Sequence, residues 1–311
     1  MTDREKTRGV SGSTIKITAV TAMVIDHVAA VVLLRVLLAD GYVNMTQESV
    51  LYYAYQVMRG IGRVGFPVFC FLLVEGFQKT RDVRKYALRL AVYALISEIP
   101  FDLAVCGQPT WQAQNVYFTL FLGLFVLCAF RFFEKTALPK AAGILFVVTG
   151  ALTPAIYCGM LTRFTFLGTL EERAVRLGSV FLITVVFLVL YRSMRGILRL
   201  QRLCGSITML MFVMYLADFM MTDYGGMGVL TIAVMYVCRM RKGLSMAAGC
   251  VVLTVMSPSE IPAFLGMIPV ALYNGKRGLR LKNFFYAFYP AHLLILYLIA
   301  VWMGYGGVKL L

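Results

Sequence analysis

Residues 15–38 read IKITAVTAMVIDHVAAVVLLRVLL. A helix needs about 20 mostly apolar residues to cross the hydrocarbon core of a bilayer, and this run supplies them. It is too long for the apolar region of a cleaved signal peptide. Asp26 and His27 sit in its middle, and no small-residue cleavage site follows. The stretch therefore reads as a transmembrane helix that carries an acid and an imidazole at mid-depth.

The rest of the chain extends that reading. Of the 311 residues, 60% are hydrophobic and only 14% are charged, and mean hydropathy is +0.79. A soluble domain is nearer 45–50% apolar and about 25% charged. The composition excludes a soluble core, a disordered chain and a disulfide-stapled secreted fold. Runs long enough to span fall near 15–38, 61–78, 86–104, 115–133, 141–159, 177–192, 205–221, 225–238, 243–256, 260–274 and 284–304. The expected fold is thus all-α and polytopic, with about 11 transmembrane helices. The eighth and ninth runs are short enough to be tilted, bent or re-entrant. No repeat or soluble domain interrupts them, so residues 1–311 form one transmembrane domain. The stretches 39–60 and 160–176 are expected outside the membrane.

The net charge of +15 bears on sidedness rather than on nucleic acid. With the N-terminus in the cytoplasm, basic clusters at Arg4–Lys16, Lys79–Arg89, Arg131–Lys140, Arg192–Arg202, Arg239–Lys242 and Lys276–Lys282 all fall inside. Each outweighs its outer neighbours. This supports an odd number of spans, N-terminus in and C-terminus out. The seven cysteines are scattered without a CxxC or a Cys/His ligand spacing, so no metal site is expected.

Ionisable groups inside a span are costly and face a cavity or a partner. At 1.5 Å per residue from the cytoplasmic edge, His27 and Glu98 lie at ~18 Å, Asp218 at ~20 Å and His292 at ~12 Å. Asp26 adjoins His27, Glu75 ends at ~5 Å, and Arg63 stays near the outer rim. Buried ion pairs that fix helix packing, such as Asp26 with Arg63, would explain the carboxylates. The two histidines, the only ones in the chain, suggest more. Both sit at mid-depth, and Tyr289 shares a helix face with His292. Imidazole exchanges protons near neutral pH, as a general base or as a transient acyl carrier. Asp26 and His27 point about 100° apart, so a carboxylate from another helix, Glu98 or Asp218, is expected to orient the His27 ring.

Several local patterns form a recognisable set. They are Ile25-Asp26-His27, Ile61-Gly62-Arg63-Val64-Gly65-Phe66-Pro67-Val68-Phe69 and Leu73-Val74-Glu75-Gly76-Phe77, with Thr80-Arg81 and Lys85-Tyr86 following. Then come Leu95-Ile96-Ser97-Glu98-Ile99-Pro100-Phe101-Asp102 and Asn115-Val116-Tyr117-Phe118-Thr119-Leu120. Later the chain has Asp223-Tyr224-Gly225-Gly226, Tyr273-Asn274-Gly275-Lys276-Arg277-Gly278 and Phe285-Tyr286-Ala287-Phe288-Tyr289-Pro290-Ala291-His292. In this order and spacing the chain resembles the TraX family from the first span to the last. Residues 134–215 carry no shared motif. The resemblance implies membrane-embedded acyl transfer, since the founding member acetylates the N-terminal amine of conjugative pilin. It points to Asp26, His27, Arg63, Glu75, Glu98, Asn115 and His292 as functional positions.

The expected function is transfer of an acetyl group from cytoplasmic acetyl-CoA to an amine or hydroxyl on a peptide, lipid or glycan. His27, Asp26, Glu98, His292, Asp218 and Tyr289 are the expected catalytic set, with Arg63, Glu75 and Asn115 as structural or acceptor-contacting residues. CoA phosphates call for cations and backbone N–H groups. Asn274, Gly275, Lys276 and Arg277 are the preferred contacts, and Lys79, Arg81 and Lys85 the second set. Positive-inside topology by itself also accounts for these basic loops. Central histidines and carboxylates equally serve a proton-coupled transporter or lipid flippase, although no duplicated half is visible. A non-catalytic assembly factor for a surface appendage is the third class.

Overall fold

The computed structural model describes residues 9–39, 50–111, 113–135, 198–279 and 282–308, together with 189 and 310. The expected spans at 141–159 and 177–192, and the stretch 160–176, lie outside the described residues. The described residues are mostly helical, and their β-pairing is confined to two isolated bridges, Val10 with Tyr273 and Gln114 with Thr222.

In chain order the elements are α1 (Gly12–His27), a π-helical stretch (Val28–Leu33), α2 (Leu34–Ala39), α3 (Val50–Gly62), α4 (Gly65–Lys79), α5 (Val83–Cys106) and α6 (Val116–Lys135). After the gap come α7 (Leu198–Phe219), α8 (Gly225–Val237), α9 (Lys242–Met256), a 3-10 stretch (Pro258–Gly266), α10 (Met267–Ala271) and α11 (Lys282–Trp302). Among the described residues, four helical runs are long and apolar enough to cross a membrane: Gly12–Ala39, Val50–Lys79, Val116–Lys135 and Phe284–Trp302. The short eighth and ninth runs are the continuous helices α8 and α9, of 13 and 15 residues. At 1.5 Å per residue they reach only ~20 and ~22 Å, less than a bilayer core.

Two expectations are corrected here. Residues 260–274 do not form a spanning helix. Pro258, Pro262 and Pro269 each remove a backbone donor, and the chain takes a 3-10 path followed by the five-residue α10. Residues 39–60, expected as an extramembrane loop, contain most of α3, which continues into α4 across a break at Arg63 and Val64.

On α5 the exposed face is greasier than the buried one. On α5, Leu88, Val92, Leu95, Ile96 and Ile99 are exposed, while Leu90, Ala94, Ser97 and Ala104 are buried. That inversion suits a helix with lipid on one side. Ala19 and Ala22 let α1 approach α3 and α4 closely. Gly62 is needed at that crossing, because a Cβ there would overlap the Asp26 carboxylate. The α5 helix starts at Asp82, whose carboxylate accepts from the Lys85 amide at 3.0 Å. That bond and the nearby Lys85 ammonium hold the Asp82 carboxyl below its usual range.

Arg35 is fully buried and, among the described residues, pairs with no carboxylate. Its guanidinium donates to the carbonyls of Val31, Ala104, Leu103 and Val308. The Leu103 and Ala104 carbonyls belong to the last turn of α5, where a cation meets the negative end of the helix dipole. This side chain ties α2, α5 and the C-terminal segment together.

Candidate functional site

His27 is the last residue of α1, immediately before the π-helical stretch. Such local widening of a helix frequently marks functional positions. His292 comes from α11, 265 residues away, and the His27 Nδ1 to His292 Nε2 distance is 2.6 Å. The ring centroids are 4.9 Å apart with planes 13° from parallel. At that nitrogen separation the two rings meet edge to edge, nearly coplanar, along their lone-pair directions.

The hydrogen bonds fix the tautomers. His292 Nδ1 lies 2.9 Å from the Phe288 carbonyl oxygen, which only accepts, so Nδ1 carries the proton. In the neutral ring Nε2 is then the acceptor, and it takes the proton of His27 Nδ1. His27 Nε2 keeps a free lone pair. Tyr289 meets both rings edge-on, at 6.0 Å from His27 and 5.7 Å from His292. The two histidines and Tyr289 therefore meet as the sequence suggests.

The carboxylates do not take the expected places. Glu98 does not orient His27. It accepts from the side chain and backbone N–H of Asn115. Asn115 also donates to the Ala94 carbonyl at 2.8 Å and accepts from the Tyr117 amide at 3.0 Å. The Glu98–Asn115 pair thus fastens α5 to the first turn of α6. Asp218 accepts from the Gly226 amide at 2.6 Å and so serves the start of α8, not the His27 ring. Asp26 bonds Arg59 at 2.6 Å rather than Arg63, and Arg63 bonds the buried Glu260 at 2.6 Å. Both pairings were hidden because the partners come from elements whose relative placement no local pattern records.

A cavity of about 530 Å³ lies beside His27 and the two ion pairs. Its wall includes His27, Tyr289, Asp26, Arg59, Arg63, Asp223, Tyr224 and Glu260. Asp26 Oδ1 and Glu260 Oε2 are buried without a hydrogen-bond partner. Tyr224 stacks on Phe66 at 3.7 Å, and the backbone carbonyl of Asp223 accepts from Thr119. Arg59, Asp223, Tyr224 and Glu260 escaped the sequence reading as site residues. A signal existed for two positions. Asp223-Tyr224-Gly225-Gly226 stands out as a motif, and Glu260 is an acid between two prolines at the edge of an apolar run.

A second cavity of similar size, about 530 Å³, lies toward the other end of the bundle. Five cations line it: Lys16, Lys79, Arg81, Arg89 and Arg277. Lys79 bonds Glu75 at 2.6 Å and also donates to the Gly275 carbonyl at 3.0 Å and the Tyr273 hydroxyl at 3.3 Å. Among the described residues no carboxylate pairs with the other four, and Arg89 Nε is buried without a partner. The wall fits an anionic group such as a phosphate.

Of the residues expected at the phosphates, Lys79, Arg81, Gly275 and Arg277 line this cavity. Asn274, Lys276 and Lys85 do not. Asn274 donates to the Gly9 carbonyl and accepts from the Lys276 amide, so it shapes the loop. Lys85 pairs with Asp82 at 3.4 Å on the surface. The first amides of α1 are also spoken for: Gly12 donates to the Lys276 carbonyl and Ser13 to that of Arg277. Arg89 closes the basic loop Lys79–Arg89 that the sequence offers as the second phosphate candidate, whereas Lys16 was missed because it sits inside an apolar run and counts there as a topological charge.

The two cavities share four wall residues: Phe69 of α4, Tyr117 and Leu120 of α6, and Phe285 of α11. Tyr117 is held firmly. Pro290 has no N–H to offer the Tyr286 carbonyl one turn back, and the Tyr117 hydroxyl donates to that carbonyl instead, at 3.2 Å.

The chain is therefore a helical membrane protein with a hydrogen-bonded histidine pair beside a polar chamber, and that chamber shares four wall residues with a cation-lined cavity. A family model described as TraX protein matches residues 11–191 and 180–300, and the chain belongs to the TraX family. The chain is also similar to a probable fimbrial assembly protein FimC, serogroup H1, of Dichelobacter nodosus, at 30% identity over 152 residues. That match covers 46% of this chain and 54% of the relative, so it spans about half of each. No solved structure matches.

Proposed function

We propose that the protein is an acyltransferase of the cytoplasmic membrane that moves an acetyl group from acetyl-CoA to an amine or hydroxyl acceptor. The observation that carries this reading is the His27–His292 contact, which engages Nδ1 of His27 and leaves Nε2 unprotonated on a residue that lines a charged chamber. The cation-lined cavity faces the cytoplasm in this reading, with Arg81, Arg89, Lys79, Lys16 and Arg277 holding the phosphates. This side assignment follows the positive-inside rule, which puts the basic clusters Lys79–Arg89 and Lys276–Lys282 in the cytoplasm.

Bound acetyl-CoA supplies a carbonyl carbon already activated as a thioester. His27 Nε2 takes the proton from the acceptor N–H or O–H as that atom bonds to the carbonyl carbon. The carbon–sulfur bond then breaks, and His27 returns the proton to the departing thiolate. His292 accepts from Nδ1 throughout and shares the positive charge that develops on His27. The FimC relative is described as a fimbrial assembly protein, and a peptide subunit of a surface appendage is accordingly the proposed acceptor.

The test is label transfer. Membranes containing the full-length protein receive labelled acetyl-CoA, and label is followed into peptide, lipid and glycan fractions. His27→Ala is expected to abolish transfer while the protein keeps its unfolding temperature. Wild-type membranes that transfer no label, or an active His27→Ala, reject the reading. Two cavities that share wall residues also suit alternating access in a transporter. A transporter would consume no thioester in the same assay.

A further inference from the structure

We propose that the collar of Phe69, Tyr117, Leu120 and Phe285 is an acyl-length sieve, which decides how large an acyl group reaches His27. The proposal rests on the donor reading above. The cations that fit phosphates line one cavity and His27 lines the other, and these four residues are common to both walls. A thioester anchored by its phosphates must pass its acyl end through them to meet Nε2.

The collar suits a sieve chemically. Phe69, Leu120 and Phe285 offer no hydrogen bond to hold an arm, so they act by shape. Tyr117 cannot swing aside cheaply. Its hydroxyl is engaged with Tyr286, its amide with Asn115 Oδ1, and its ring packs edge-on to Tyr289 at 5.1 Å. Leu120 is buried, and Phe285 packs edge-on against Phe284 at 5.7 Å while Lys16 sits 5.6 Å over its ring. Beyond the collar the chamber is charged. Asp26, Arg59, Arg63, Asp223 and Glu260 line it. A methylene chain there would strip water from these ions and give them no partner. An acetyl group adds one methyl; each further methylene meets both obstacles.

Length is then sensed after the phosphates are bound, in turnover rather than in affinity. The experiment uses full-length protein with labelled acetyl-, butyryl- and hexanoyl-CoA. Dissociation constants are measured on protein in lipid nanodiscs, and label transfer is measured in membranes with the His27→Ala background subtracted. Wild type is expected to bind the three thioesters alike and to transfer acetyl far faster than hexanoyl. Phe69→Ala and Leu120→Ala are expected to raise the hexanoyl-to-acetyl transfer ratio at least about tenfold, with binding little changed, since a methylene or two in a pocket decides rates on this scale. Phe69→Leu and Leu120→Val are milder replacements, each read only with an intact unfolding temperature.

Folded variants that keep the wild-type ratio overturn the sieve, as does a wild type that transfers all three equally. A wild type that binds the thioesters in order of chain length places discrimination at the phosphate cavity and also overturns it. Failure of the donor reading looks different: the wild type neither binds nor consumes acetyl-CoA.

Discussion

At the scale of single residues, the position of one proton organises the site. The Phe288 carbonyl fixes His292, and His292 fixes His27, so a backbone atom of α11 decides which nitrogen of α1 is basic. His292→Ala removes the acceptor of the Nδ1 proton and frees the ring to turn. Turnover is expected to fall about 100-fold, the lower range for a disturbed proton-transfer group. His292→Gln keeps a carbonyl oxygen able to accept and should recover part of the loss. A role in positioning also predicts that the acid side of the rate–pH profile moves in the His292 variants. The rate falls on acidification in every case, because a protonated Nε2 is no base. Loss of activity with an unmoved profile and no rescue by Gln would reduce His292 to packing. The imidazoles, Tyr289 and Asp26 were legible because an ionisable group in an apolar run is conspicuous. Their partners were not, because pairing is decided by which helices touch.

At the scale of elements, the proline-broken stretch Pro258–Gly266 illustrates the difference. By hydropathy it looks like the start of another span, yet its backbone cannot complete the α-helical ladder. It delivers Glu260 to Arg63 at the break between α3 and α4, locking two irregular places together. Arg63→Leu would leave Glu260 buried and unpaired, and a loss of about 3–5 kcal/mol is expected. The double variant Arg63→Leu with Glu260→Leu should recover most of it, since two apolar side chains leave no stranded charge. Thermal unfolding of the four proteins in detergent measures the cycle. A double variant as unstable as Arg63→Leu would mean that the pair contributes shape rather than charge compensation.

At the scale of the whole molecule, two cavities divide the charge. One wall holds five cations around a single carboxylate, Glu75, and the other mixes Arg59 and Arg63 with Asp26, Asp223 and Glu260. The first arrangement gathers side chains from α1, α4, α5 and the loop before α11, which the sequence places far apart. Arg89 is the sharpest probe of it, because its Nε is buried without a partner. Arg89→Gln is expected to weaken acetyl-CoA binding about tenfold, the equivalent of one charge-assisted hydrogen bond of about 1.5 kcal/mol. Calorimetry on the nanodisc protein reads this directly. Unchanged affinity would move the phosphates away from Arg89.

The amino-acid sequence by itself determined the solvent this chain folds in, the all-helical class, most helix positions and the two histidines that matter. Those properties are local: apolar run length sets a span, and a charge inside one is costly wherever the helix packs. Only the tertiary structure decided that His27 meets His292, that Glu98 and Asp218 tend helix ends instead, that Asp26 takes Arg59, and that residues 258–266 take a 3-10 path. Lipid makes every apolar face equally acceptable to the surrounding medium. Close packing, backbone hydrogen bonding and the pairing of buried charges were therefore left to choose the partners, and those depend on residues hundreds of positions apart.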